Sequence, residues 1–212
     1  MSLILRQAKV IDAEQFLNVK NSLPMPSALS ETARGGFLLG TNVETYQFYI
    51  ENGYVNILEE KGEIVGFAIV LPDILLRNSE LWQRKDEIIW DNFDAEQFEG
   101  KQICYFEQLA VLPKSKYRFW GVSLAYLTLS QAFESHQAMF TTIVKEPIFN
   151  QASIPFLENV GGKCVGEVNE VYPEVGKLIS KIYFVERESF RKKTTKHRLI
   201  GKVKKQIASS DK

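Results

Sequence analysis

The stretch Tyr105–Leu127, YFEQLAVLPKSKYRFWGVSLAYL, constrains this chain most. Ile103–Val111 reads as a strand ending at Val111-Leu112-Pro113. A polar turn follows, and Arg118-Phe119-Trp120-Gly121-Val122-Ser123 opens a helix expected over Val122–Gln137. A glycine-bearing turn that runs into a helix N-terminus presents consecutive backbone N–H groups at the positive end of the helix dipole. Such an end is an anion site suited to a pyrophosphate. A plain strand–turn–helix connection would show the same residues, so the meaning of the stretch depends on its neighbours.

Those neighbours alternate between sheet and helix. Leu3–Ala8 reads as a first strand, and Phe16, Val19 and Leu23 recur on one face of a helix expected over Asp12–Leu23. Asp12 is placed to cap that helix, and Pro24 and Pro26 stop it. A second helix is expected over Glu44–Glu51. Tyr54–Glu59 and Ile64–Leu71 then form a hairpin across Glu60-Lys61-Gly62-Glu63. Ser79 caps a helix predicted over Ser79–Trp90. After the central stretch come a strand Met139–Val144, a helix Gln151–Val160 closed by Gly161-Gly162, and strands Lys163–Val171 and Leu178–Val185 around a turn at Pro173–Gly176. This is one mixed α/β domain, residues 1–186, followed by a tail, residues 187–212.

Charge sets the tail apart. The whole chain balances 26 basic against 26 acidic residues. Residues 187–212 hold ten Lys/Arg against Glu188 and Asp211, net +8, and residues 1–186 hold sixteen against twenty-four, net −8. An acidic body disfavours nucleic acid as a partner except through the tail, and favours cationic ligands. The tail suits RNA, an acidic protein, or the acidic body of its own or a second subunit, as in a homodimer. Cys104 and Cys164 stand 60 positions apart, with neither a disulfide framework nor a metal spacing, which points to reduced thiols in the cytoplasm. No metal is expected: no His/Cys/carboxylate cluster stands out, His136 sits at a helix end suited to capping, and His197 lies in the tail. The run Met1–Arg6 is too short for a signal-peptide core, and no stretch approaches the about 18 apolar residues of a membrane-spanning helix.

The order of these elements resembles the GNAT superfamily of acyl-CoA-dependent N-acyltransferases. Four local patterns carry the resemblance. Glu63-Ile64-Val65-Gly66-Phe67-Ala68-Ile69 is similar to the family's third strand, and Leu109-Ala110-Val111-Leu112-Pro113 to the end of its fourth. Arg118-x-x-Gly121-x-Ser123 looks like its acyl-CoA motif, and Asn150 through Gly161-Gly162 resembles its late helix. The resemblance covers about residues 3–185. It implies a mixed, mostly antiparallel sheet of about seven strands flanked by helices, with acetyl-CoA as co-substrate and the amine of a small molecule or peptide as acceptor.

The resemblance also implies residue roles. Backbone N–H groups beside Leu109 and Val111 would hold the acetyl carbonyl where two strands splay. The amides of Phe119, Trp120, Gly121, Val122, Ser123 and Leu124, with Arg118, would take the pyrophosphate, and Asn150 would lie near the pantetheine arm. Glu107 stands where the family often carries a carboxylate base; strand alternation puts it on one face with Tyr105, Leu109 and Val111. The alternative is a surface glutamate with no catalytic role. The amine pocket would be lined from Ser27–Phe48 and Asp73–Gly100, where Tyr46, Tyr49, Trp82 and Trp90 are either pocket walls or, more simply, core.

Two departures open other readings. Leu157 occupies the position of the family's usual tyrosine acid, and the loop before Arg118 is two residues longer and carries bulky Phe119 and Trp120. A protein that binds acyl-CoA with little turnover, or an adaptor working through the tail, would also fit.

Overall fold

The computed structural model describes residues 3–26, 36–172, 175–195 and 201–203, with the backbone alone at 115. Strand β1 (Leu3–Gln7) pairs antiparallel with β2 (Tyr54–Glu60), and a two-residue turn at Lys61-Gly62 leads into β3 (Glu63–Leu71). β3 runs antiparallel to β5 (Ile103–Val111), and β5 parallel to β6 (Ala138–Glu146). With β4 (Ile89–Trp90), β7 (Lys163–Tyr172) and β8 (Gly176–Glu186) they complete an eight-stranded sheet in the order β1-β2-β3-β5-β6-β8-β7-β4. The β5–β6 pair is the parallel one; the other six are antiparallel.

Helices cover both faces, because the strand residues alternate between two apolar sets. On one face α1 (Ala13–Asn21) and α2 (Val43–Asn52) bury Phe16, Val19, Tyr46 and Ile50 against Ile57, Phe67 and Ile69. Phe16 stacks on Phe67 with centroids 4.3 Å apart. On the other face α5 (Arg118–Ser135) and α6 (Ile154–Asn159) pack Leu124, Leu129 and Leu157 on Leu58, Val70 and Phe106. A third cluster, including Phe98, Phe140, Ile182 and Phe184, closes the far half of the sheet under the segment that holds α3 (Asp73–Arg77) and α4 (Glu80–Gln83).

Several local expectations shift. The helix predicted over Ser79–Trp90 breaks up: Ser79 does cap it, accepting from the Trp82 N–H at 3.3 Å, but α4 ends at Gln83. Lys85 interrupts the apolar face, and Ile89-Trp90 pairs with β7 instead, which raises the strand count from about seven to eight. Gly166 permits that pairing, since a Cβ there would lie 2.7 Å from the Ile89 carbonyl oxygen. Helix α5 begins at Arg118, four residues before the predicted start, and ends at Ser135. His136 follows as its C-cap; its Nδ1 donates to the Ala132 carbonyl at 2.8 Å and its Nε2 accepts the Asp73 N–H at 3.2 Å. Asp12 turns its carboxylate back to the Lys9 N–H at 2.7 Å and to Arg6 rather than forward to α1.

The first turns of the C-terminal segment are built into the domain. In α7 (Arg187–Thr195), Phe190 packs on Tyr126 and Phe133 of α5 at 5.5 and 5.0 Å, while Arg191, Lys192 and Lys193 stay exposed. Val203 is buried in the same cluster. Lys196, His197, Arg198, Lys204, Lys205 and Lys212 lie outside the described residues, as do Pro173 and the stretch 27–35 of the expected amine-pocket wall. No described helix is long and apolar enough to cross a membrane.

Candidate active site

The central feature is a gap in the sheet. β5 and β6 pair only where Ile103, Cys104 and Tyr105 face Ala138, Met139 and Phe140; beyond Tyr105 the strands part. At the apex the Thr141 hydroxyl donates to the Phe106 carbonyl at 2.7 Å on one face. On the other the Tyr105 and Thr142 hydroxyls meet at 2.7 Å. A central strand with an unpaired stretch has backbone donors and acceptors that need another partner.

A β-bulge decides what points into that gap. Opposite β3, Ile69 faces Gln108 and Val70 faces Phe106, so Glu107 is the extra residue. A bulge resets the alternation of the strand. Before it, Tyr105 and Glu107 lie on the α1–α2 face. After it, Gln108 and Ala110 hold that face: the Gln108 amide accepts from the Tyr46 hydroxyl at 3.0 Å and donates to Thr41 Oγ1 at 2.9 Å. Leu109 and Val111 pack with the α5 cluster. The four residues placed together by simple alternation thus divide two and two, because the extra residue shifts the pleat by one.

The backbone phase changes with the side chains. The Leu112 N–H donates to the Val65 carbonyl on β3 at 2.8 Å, so alternation directs the N–H groups of Val111 and Leu109 to the opposite edge, into the gap. Val111 also brings strand and helix together: a Cβ on Gly66 would lie 2.6 Å from its Cγ1, and one on Gly121 3.3 Å. Gly66 and Gly121 thereby let β3, β5 and the first turn of α5 approach closely.

Helix α5 starts beside this gap, and its N-cap residue Tyr117 makes no side-chain cap. The first-turn N–H groups of a helix lack intrahelical partners. A 3-10 turn over Ser115–Tyr117 leads into α5 and occupies the Arg118 N–H, so those of Phe119 and Trp120 fall there, whereas Gly121, Val122, Ser123 and Leu124 each have a carbonyl four residues back. Ser123 is buried, and its hydroxyl donates to the Phe119 carbonyl at 3.2 Å. The Arg118 side chain is exposed, and Phe119 and Trp120 pack partly on the α5 cluster. Asn150, just past β6, donates its backbone N–H to the Val144 carbonyl at 2.9 Å and its Nδ2 to the Phe37 carbonyl at 3.1 Å. Its Oδ1 is buried with no partner among the described residues.

Glu107 is electrostatically unusual. Burial, with the Glu170 carboxylate in addition, pushes it up to about 7. Burial likewise raises Glu170. Neither has an ion-pair partner among the described residues. Tyr46, Tyr49 and Tyr105 all sense the Glu107 charge, and burial first, then that charge, holds all three phenols above the usual range. The face around Glu107 is therefore acidic and aromatic, a setting for a cation.

Other expected residues sit elsewhere. Tyr46 is fully buried, its ring edge-on to Phe16 and Phe67. Trp82 and Trp90 pack edge-on to Phe140 as part of the third cluster. Leu157 is core, and the α6 position it occupies offers no hydroxyl. The sequence placed Tyr105 on the Glu107 face without a role, and passed over Gln108 and Glu170. Glu170 had a signal: it stands two residues after buried Val168 in an alternating strand, in the inward phase.

No family model matches the sequence, and no curated protein sequence matches it. Solved structures do match. The ribosomal-protein-S18-alanine N-acetyltransferase of Escherichia coli superimposes with a TM-score of 0.57 at 12% identity, over 87% of this chain and 94% of that one. The Drosophila melanogaster polyamine N-acetyltransferase gives 0.56 at 12%, over 87% and 100%. The yncA protein of Salmonella typhimurium, solved with its cofactor acetyl-CoA, gives 0.52 at 18%, over 88% and 95%. The chain has the GNAT fold.

Proposed function

We propose that this chain, built on the fold of the GNAT N-acyltransferases, moves an acetyl group from acetyl-CoA to the primary amine of a small molecule or peptide. The observation that carries the reading is the parted β5–β6 pair with Glu107 bulged out beside it. The gap leaves the Leu109 and Val111 N–H groups free to hold the thioester oxygen. The donor's pyrophosphate would sit on the Phe119 and Trp120 N–H groups at the start of α5, with Arg118 alongside, and its pantetheine arm would meet Asn150 Oδ1, which has no partner among the described residues. The residues present fit the group.

The amine arrives protonated and is drawn to the acidic, aromatic face of Glu107, Glu170 and Tyr105. Glu107, titrating near neutrality, takes one proton, directly or through water. The nitrogen lone pair then attacks the thioester carbon, a C–N bond forms, and the developing oxyanion is held by backbone N–H groups. The C–S bond breaks, the new C–N nitrogen gives its remaining extra proton to solvent, and the thiolate takes one up from solvent, since Leu157 has none to give.

The test is isothermal titration with acetyl-CoA, followed by thiol release across a panel of amines. Micromolar binding with turnover supports the reading. Absence of binding sinks it. Binding without turnover on any amine would favour an acyl-CoA-binding protein, the reading that Leu157 and the altered loop before Arg118 motivate.

A further inference from the structure

A polar cluster at the entrance to α5 takes no part in the chemistry above. Glu60, the last residue of β2, accepts from Lys116 Nζ at 2.6 and 2.8 Å and from the Tyr117 hydroxyl at 2.8 Å. The Lys116 ammonium also lies 4.7 Å from the Tyr117 ring centroid, and Tyr117 is only 1% exposed. These are the residues of the lengthened loop that runs from Pro113 to Arg118. Within it the backbone bonds are local: Lys114 N–H to the Leu112 carbonyl at 2.6 Å, and Tyr117 N–H to the Lys114 carbonyl at 3.0 Å. Neither bond reaches the sheet. The three bonds to Glu60 do, two from Lys116 and one from Tyr117, the N-cap residue of α5.

The same contacts settle what Lys116 does. A lysine next to a helix N-terminus is a natural phosphate ligand, but this one is spent on a carboxylate, so Glu60 takes its charge out of play. We infer that Glu60 is a positioning residue for the acyl donor, a clamp that sets the first turn of α5 at the distance from β5 that its pyrophosphate requires. Its action is confined to the phosphate end; it touches neither Glu107 nor the gap. The inference rests on the function proposed above.

Two donors separate the possibilities: acetyl-CoA, and S-acetylpantetheine, which has the thioester arm without the pyrophosphate. Glu60→Gln is expected to raise the KM for acetyl-CoA about 10-fold, with kcat and the KM for S-acetylpantetheine unchanged. Tyr117→Phe keeps the buried ring, loses one of the three bonds, and should give a smaller change of the same kind. An equal loss with both donors in the two variants would reduce Glu60 to a general structural role. A tighter KM for acetyl-CoA in Glu60→Gln would mean that released Lys116 binds phosphate itself, and no change would make the cluster an ordinary ion pair; either overturns the clamp. If the wild-type protein fails with acetyl-CoA, it is the parent reading that falls.

Discussion

A carboxylate that titrates near 7 sets two opposite pH dependences, and Glu107 carries both. In the proposed role of base it must be ionised, so kcat/KM should rise with pH through about 7. The neighbouring Glu170 charge favours the neutral form, so Glu170→Gln should move that rise to lower pH. A pH–rate profile checks both. Glu107→Gln should lower turnover about 10²–10⁴-fold with acetyl-CoA affinity nearly intact, measured by steady-state rates beside titration. Stability runs the other way. Unfolded, the group titrates near about 4.3, so between there and about 7 the native state keeps a proton that the unfolded chain has lost. The stabilisation is complete at the acid end and is lost as pH rises through 7. Glu107→Gln should therefore melt higher than wild type at pH 8 and show no such gain at pH 4. A gain equal at both pH values would contradict the burial argument.

At the scale of elements, the parted strands and the C-terminal helix each make a measurable claim. Leu109 and Val111 belong to a central strand, whose amides ordinarily exchange slowly, yet their N–H groups face the gap. Hydrogen exchange should find these two fast in the free protein and slowed by acetyl-CoA, while Ala110 and Leu112 stay slow throughout. Helix α7 covers Tyr126 and Phe133 with Phe190, which is 4% exposed. Phe190→Ala should cost about 3–5 kcal/mol in denaturant unfolding. Truncation after Glu186 should be at least as damaging, so residues 187–195 would act as part of the domain and only the charge on their outer face as a tail.

For the whole molecule, one sheet runs from β1 to β4, held together at its centre by the short β5–β6 pairing, and joins all three apolar clusters. Two-state unfolding is the expectation for a core shared in this way. Trp120 reports on the α5 cluster, and Trp82 and Trp90 on the third. Fluorescence of single-tryptophan variants and far-UV circular dichroism should give coincident midpoints; separate midpoints would mean that the two halves fold apart.

Local chemistry decided what could be read without coordinates. The alternation in Ile103–Val111, the Gly62 turn, the Ser79 cap and the order of elements depend on neighbours in the chain; the family resemblance that this order carries is what implied a mixed sheet and singled out Glu107. Tertiary structure decided the rest. The bulge that parts Glu107 from Leu109 and Val111 exists only because β5 has β3 to pair with. The short strand at Ile89-Trp90 needed a glycine in β7, 76 residues further on, to dock against. Glu170 became a partner of Glu107 only when β7 folded back on β8, and Glu60 reached Lys116 and Tyr117 only when the β2–β3 hairpin came beside α5. A sequence displays periodicity, capping and turn residues, because those act over a few positions. Register across strands and the field of a distant carboxylate depend on which segments meet, and that is settled by packing.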